Sequence, residues 1–212
     1  MKAPKQQNPV SAAQDIKLVR HEPRSDYVTQ PFYDWLGKVS DDLNLAITRR
    51  DDAAVELWRQ VTKLLVTESR LLDQQAFNPW LDLYVNECAY WIPSDWPARD
   101  PRKGITLEFH DRRRLLDRIA RLDTGVAYSQ FPPSRTCRQW GGLELWASPT
   151  RKGDWHARYN FTLVDFRNEH NRLLAGWNGF VLRETDAGLR IVVKQINLID
   201  CDRSQGNNSF FL

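Results

Sequence analysis

Apolar side chains recur at helical spacing early in this 212-residue chain and at strand spacing in its second half. Phe32, Trp35, Leu36, Val39, Leu43, Ala46 and Ile47 mark one face of an amphipathic helix beginning near Pro31. Asp51-Asp52 offers a cap for a longer helix, whose apolar stripe is Ala54, Leu57, Trp58, Val61, Leu64, Leu65 and Leu72. The Asn78-Pro79 break introduces a short helical segment reaching Val85. A further helix over Asp111 to Leu122 turns Leu115, Leu116, Ile119 and Leu122 to one side.

Strand-like patterns begin with Cys88 to Ile92, ended by Pro93, and Ile105 to Phe109, with a proline-rich loop (SDWPARDPRKG) between them. Past Pro133 strands dominate: Leu143 to Trp146, Ala157 to Phe166, Leu173 to Arg183 and Leu189 to Ile199, with turns at Arg151–Asp154 and Asp186–Gly188. Helices followed by a meander predict an α+β fold. Its curled antiparallel or mixed sheet would wrap a helix layer, each strand covered on one face. Residues 1 to about 26, punctuated by Pro4, Pro9 and Pro23, read as a polar arm. The expected division is therefore an arm with an extra amphipathic helix over 1–50 and a single cone-shaped domain over 51–212.

Composition narrows the chemistry. A 42% hydrophobic content suffices for one good core, and nine Trp suit both cores and subunit interfaces. A net charge of +3 gives no large pull on nucleic acid. The basic run Arg112-Arg113-Arg114 reads as a solvated helix face, and His110-Asp111 as a helix entry. Three unpatterned Cys argue against a disulfide scaffold and for a reducing compartment; no apolar run approaches a membrane span. A cytoplasmic protein is expected.

Metal-ligand patterns are missing too. A Rieske cluster takes two Cys and two His in close pairs, yet Cys88, Cys137 and Cys201 stand far apart with no His within two residues. His21, His110, His156 and His170 form no helical pair that could join a carboxylate around a mononuclear iron.

Specific blocks then resemble a known family. Arg118 to Thr136 (RIARLDTGVAYSQFPPSRT) and the final NNSFFL are similar to signatures of the small, β subunit of bacterial aromatic-ring-hydroxylating dioxygenases, within the nuclear transport factor 2-like superfamily. Glu68-Ser69-Arg70-Leu71-Leu72-Asp73, Phe77, Trp80-Leu81, Tyr90-Trp91-Ile92-Pro93 and Gly188-Leu189-Arg190-Ile191 extend the resemblance over roughly residues 55 to 212. Two departures stand out. Cys137-Arg138 and Gly141-Gly142 replace the family's Arg-His and Ser-Asn, and the first fifty or so residues exceed its usual start.

The resemblance implies a cone-shaped fold and a structural role with no catalytic, cofactor-binding or metal residue in this chain. It implies a large (α) subunit partner carrying a Rieske 2Fe–2S cluster and a mononuclear Fe(II). Three α and three β subunits would form a hexamer with β–β contacts, fed with NADH electrons by a reductase and often a ferredoxin. Pro132, Pro133, Ser134, Arg135, Phe210, Phe211 and Leu212 are the expected interface or structural residues. Pro132-Pro133 would hold an extended turn, Gly125 a positive φ after its helix, and Arg135 a forked salt bridge. Phe-Phe-Leu would dock on this or a neighbouring subunit. Two other readings remain. One is an autonomous dehydratase or isomerase of the same cone fold, using Asp73, Tyr90, His110 and His156 as acid–base groups; the other is a stand-alone binding module.

Overall fold

The computed structural model describes residues 28–45, 53–124, 130–206 and 210–212. The expected arm over 1–26, Ala46, Ile47, the Asp51-Asp52 cap and Gly125 fall outside them. Among the described residues four helices and six strands follow in chain order: α1 (Gln30–Leu43), α2 (Val55–Asp73), α3 (Phe77–Leu81), β1 (Tyr84–Pro93), β2 (Thr106–His110), α4 (Arg112–Asp123), β3 (Arg135–Ala147), β4 (Asp154–Arg167), β5 (His170–Thr185) and β6 (Gly188–Leu198). The strands form one sheet in the order β2-β1-β6-β5-β4-β3. The meander β3 to β6 is antiparallel, but β1 lies parallel to β6, with Tyr90 opposite Lys194, so the sheet is mixed.

Two apolar layers sandwich this sheet. Helices α2, α3 and α4 cover the inner face, where Leu65, Leu72, Trp80, Tyr90, Leu115, Phe180 and Phe211 form the larger core. Helix α1 covers the outer face. Its Phe32, Leu36, Val39 and Leu43 pack on Ala89, Trp91, Trp146, Trp177, Val181 and Val193. A Cβ added at Gly179 would come within 2.8 Å of a Leu43 methyl, so any larger residue there would require the Leu43 side chain to shift.

This second layer corrects one expectation. Strands β1, β5 and β6 are buried on both faces along much of their length, not on one, because the apolar stripe of α1 takes the outer side. Boundaries also move: α3 ends at Leu81, and the residues up to Val85 turn into β1. Strand β3 begins eight residues before Leu143, because the pairing of Arg135 with Phe166 starts its ladder.

The basic run is partly the solvated face that the spacing suggested, with Arg114 exposed and Arg112 and Arg113 half-buried. Arg112 donates to the Leu81 and Tyr84 carbonyls, 3.1 and 3.2 Å away, and Arg114 to the Phe109 carbonyl at 3.2 Å. These guanidinium groups satisfy carbonyls at the α3–β1 and β2–α4 junctions, a use of charge invisible to periodicity. Asp111, by contrast, caps α4 as a helix entry should, accepting from the Arg114 amide at 3.0 Å.

Candidate functional site

The inner face of the sheet, beneath α2, α3 and α4, is where the helices and the sheet enclose space between them. The chain fills it with its own last residues. Phe210, Phe211 and Leu212 are 6%, 1% and 3% exposed. The Phe211 ring packs 4.7 Å from Trp80, 5.2 Å from Phe77 and 5.9 Å from Tyr90, and the Arg118 guanidinium lies 4.3 Å over it.

Backbone groups of this segment are gripped individually. Arg118 donates to the Phe210 carbonyl at 2.7 Å, and Arg138 donates to the Phe211 carbonyl. Tyr90 Oη accepts from the Leu212 amide at 2.8 Å, and Lys194 Nζ donates to the Leu212 oxygen at 2.8 Å. Buried peptide groups need such partners, so these four side chains fix the segment's register.

Charges beneath it are paired in turn. Glu68 accepts from Lys194 Nζ at 2.7 Å and from Trp80 Nε1 at 2.9 Å, with both ionic groups sealed from solvent. Burial lowers the Lys194 pKa, opposed by the Glu68 carboxylate. Burial likewise raises Tyr84, Tyr90 and Tyr159 above the usual phenol range, so all three stay neutral; Tyr90 and Tyr159 hydrogen-bond to Leu212 and Asn178. Asp73 takes the Arg138 guanidinium, the Thr136 hydroxyl at 2.8 Å and the Arg138 amide at 3.1 Å. Arg118 pairs with Glu108 and lies 3.2 Å from His110 Nε2.

A family profile described as "Ring hydroxylating beta subunit" matches residues 67–203, more than half of the chain. The chain belongs to the ring-hydroxylating β-subunit family. The 2-halobenzoate 1,2-dioxygenase small subunit of Burkholderia cepacia is 29% identical over 146 residues, which cover 66% of this chain and 87% of that one. Among solved structures, the β subunit of benzoate 1,2-dioxygenase from Burkholderia mallei has a TM-score of 0.59 at 22% identity, covering 77% of this chain and 99% of that chain. A nuclear transport factor 2-like protein with a cystatin-like fold, from Novosphingobium aromaticivorans, has a TM-score of 0.50 at 17% identity, covering 69% and 84%. At such identities these structures establish the fold. The chain is thus the small subunit of a multicomponent dioxygenase, part of an oxidoreductase.

Of the residues of the rival acid–base chemistry, Tyr90 and His110 lie with their rings 6.1 Å apart, but the four do not come together in one site. Asp73 is engaged by Arg138, Tyr90 by Leu212, and His110 sits at the Arg118–Glu108 pair. His156 lies beneath α1 on the outer face, its Nδ1 2.7 Å from Asp42 Oδ2, which also accepts from Trp146 Nε1 at 2.8 Å. Among the described residues no cluster of three or more His, Cys, Asp or Glu is placed to hold a metal ion, and no helix is long and apolar enough to cross a membrane.

The seven residues singled out from sequence separate into two groups. Pro132, Pro133 and Arg135 lie on the surface beside Phe131, itself 78% exposed, while Ser134 and the Phe210–Leu212 segment are buried. Arg135 stacks 4.5 Å over Phe166, and no carboxylate fork holds it among the described residues. Sequence reasoning missed Arg118, Arg138, Glu68 and Lys194 as a set. Lys194 following the apolar run Ile191-Val192-Val193 was the available signal, because a charge carried into a buried strand needs a partner.

Proposed function

We propose that this β subunit is a non-catalytic scaffold for a large α subunit carrying the Rieske 2Fe–2S cluster and the mononuclear Fe(II). The observation that carries this reading is the plugged cone. Its aromatic and ionic interior is spent on holding Phe210, Phe211 and Leu212, and Asp73, Tyr90 and Lys194 all have intrachain partners. A rigid, closed wedge suits a subunit whose work is to present surface.

In this reading three α and three β subunits form a cytoplasmic hexamer with β–β contacts. NADH electrons reach the α iron through a reductase and a ferredoxin, and dioxygen is added there to an aromatic compound. The exposed rim of Phe131, Pro132, Pro133 and Arg135 contacts a neighbouring subunit, and Ser134 with the buried Phe210–Leu212 segment supports it from inside. Many relatives with dioxygenase small-subunit names support the assignment.

Co-expression of the large-subunit gene with and without this chain tests the scaffold directly. Soluble large subunit of full specific activity obtained alone would remove the role. Purified β subunit that turns over a small molecule unaided would replace it with the rival chemistry.

A further inference from the structure

The apolar inner face of the sheet gives way to charge at one end. Leu163 pairs with Leu174 in the core, but the next inward pairs along β4 and β5 are Asp165 with Arg172 and Arg167 with His170. A two-residue turn at Asn168-Glu169, with φ of 49° and 65°, closes this hairpin and fixes that register. Together with the chain beyond β6 it borders an open cleft of about 400 Å³, walled by Arg167, Asn168, His170, Arg172, Ser204 and Gln205. That volume lies within the roughly 300–1,000 Å³ typical of small-molecule sites.

The charges of this cleft are unevenly matched. Arg172 donates to Gln205 Oε1 at 3.3 Å; burial lowers its pKa, opposed by the Asp165 and Asp200 carboxylates that offset its charge. Arg167 has no such neighbour. Its side chain makes no ion pair or hydrogen bond among the described residues, and the residue directly across from it is His170, a further donor. Among the described residues Asp165 is the one carboxylate in the wall, 8% exposed and beside Arg172. The accessible rim therefore presents donors: the half-buried Arg167 guanidinium, and Asn168, His170 and Ser204, all exposed. A planar guanidinium fork matches the paired oxygens of a carboxylate or phosphate. We propose that this cleft binds a small oxyanion, a carboxylate or a phosphate, on the Arg167 guanidinium with His170 and Ser204 beside it. The site lies wholly within this chain and does not depend on the large-subunit reading.

Nuclear magnetic resonance titration of the full chain with acetate, phosphate and the neutral control acetamide, at constant ionic strength, tests this. Backbone amides of residues 167–172 and 204–206 should shift saturably with at least one anion and not with acetamide, and the relative affinities tell carboxylate from phosphate. Arg167→Gln removes a side chain without a protein partner, so the fold should persist while anion affinity falls at least about ten-fold, the worth of one charge-assisted hydrogen bond. Arg167→Lys should lose less, keeping the charge without the fork. Lys152→Gln, an exposed cation in the turn at the far end of β4, should change nothing. No saturable shift with either anion, an equal response to acetamide, shifts confined to other residues, or unchanged affinity in Arg167→Gln would each overturn the proposal.

Discussion

Lys194 Nζ and Glu68 Oε1 lie 2.7 Å apart in the middle of the core, their side chains 1% and 0% exposed. The pair spans from α2 to β6 and ties the helix layer to the sheet. Removing one partner of a buried ion pair leaves the other uncompensated, at a cost of about 3–5 kcal/mol, while an apolar replacement of both is often neutral. Lys194→Met should therefore lower the stability measured in urea by that amount. The double variant Lys194→Met/Glu68→Leu should recover much of the loss, though Trp80 Nε1 then loses its acceptor.

Phe211 carries the apolar share of the plug. Phe211→Ala removes a ring that touches Trp80, Phe77 and Tyr90 and underlies Arg118. A cost of about 3–5 kcal/mol is expected for a buried Phe truncation, read as a shift in the denaturation midpoint with unchanged slope. A loss under about 1 kcal/mol would mean that the segment is dispensable to the cone.

Arg138 joins Asp73 to the Phe211 carbonyl, and Asp73 remains 26% exposed in its side chain. Solvent at Asp73 softens the penalty, so Arg138→Met should cost about 2–3 kcal/mol, below the range for a sealed pair. Arg138→Lys should fall between the variant and the parent, because an ammonium reaches one acceptor well but cannot span both as a guanidinium does. Equal losses for the two variants would show that packing, not the fork, matters here.

Alkaline stability follows from the buried phenols. Tyr84, Tyr90 and Tyr159 have folded pKa values above the ordinary 10.0, chiefly through desolvation. Their contribution is complete below the unfolded pKa of about 10 and declines as pH rises toward the folded values, since the unfolded chain then holds fewer protons. Three such groups give a slope of up to about 4 kcal/mol per pH unit. Lys194, lowered by burial, acts with the opposite sign: its contribution grows as pH rises toward its unfolded value of 10.5 and then stops. Above pH about 10.5 only the tyrosine loss remains. Tyrosinate absorbance from these groups should appear together with loss of near-ultraviolet circular dichroism, not before it.

On the outer face, Asp42 binds α1 to the sheet through Trp146 and His156. Asp42→Ala removes the acceptor of Trp146 Nε1 and the partner of His156 Nδ1 and should cost about 2–4 kcal/mol. Limited proteolysis should then cleave within α1 before the β strands. Cleavage as slow as in the parent would show that Phe32, Leu36 and Leu43 alone hold the helix.

Much of this architecture was legible from spacing. The stripe Leu57, Val61, Leu64, Leu65 and Leu72 marked α2 and Asp111 marked the start of α4, because each is a local pattern set by helix pitch or capping, while the family was legible only through the resemblance of the Arg118–Thr136 block. The apolar α1 stripe was equally clear, but not the face it would cover. A stripe states that a helix must be buried; it does not name the surface that buries it.

The sequence alone therefore determined the helix and strand content, the family and the presence of a deeply apolar chain end at Phe210–Leu212. Tertiary structure decided that this end closes its own cone, that β1 runs parallel beside β6, and that Glu68 meets Lys194 across 126 positions. The physical reason is range. Periodicity reports neighbours within a few residues, whereas which buried charge finds which partner depends on long-range closure of the sheet around the helices.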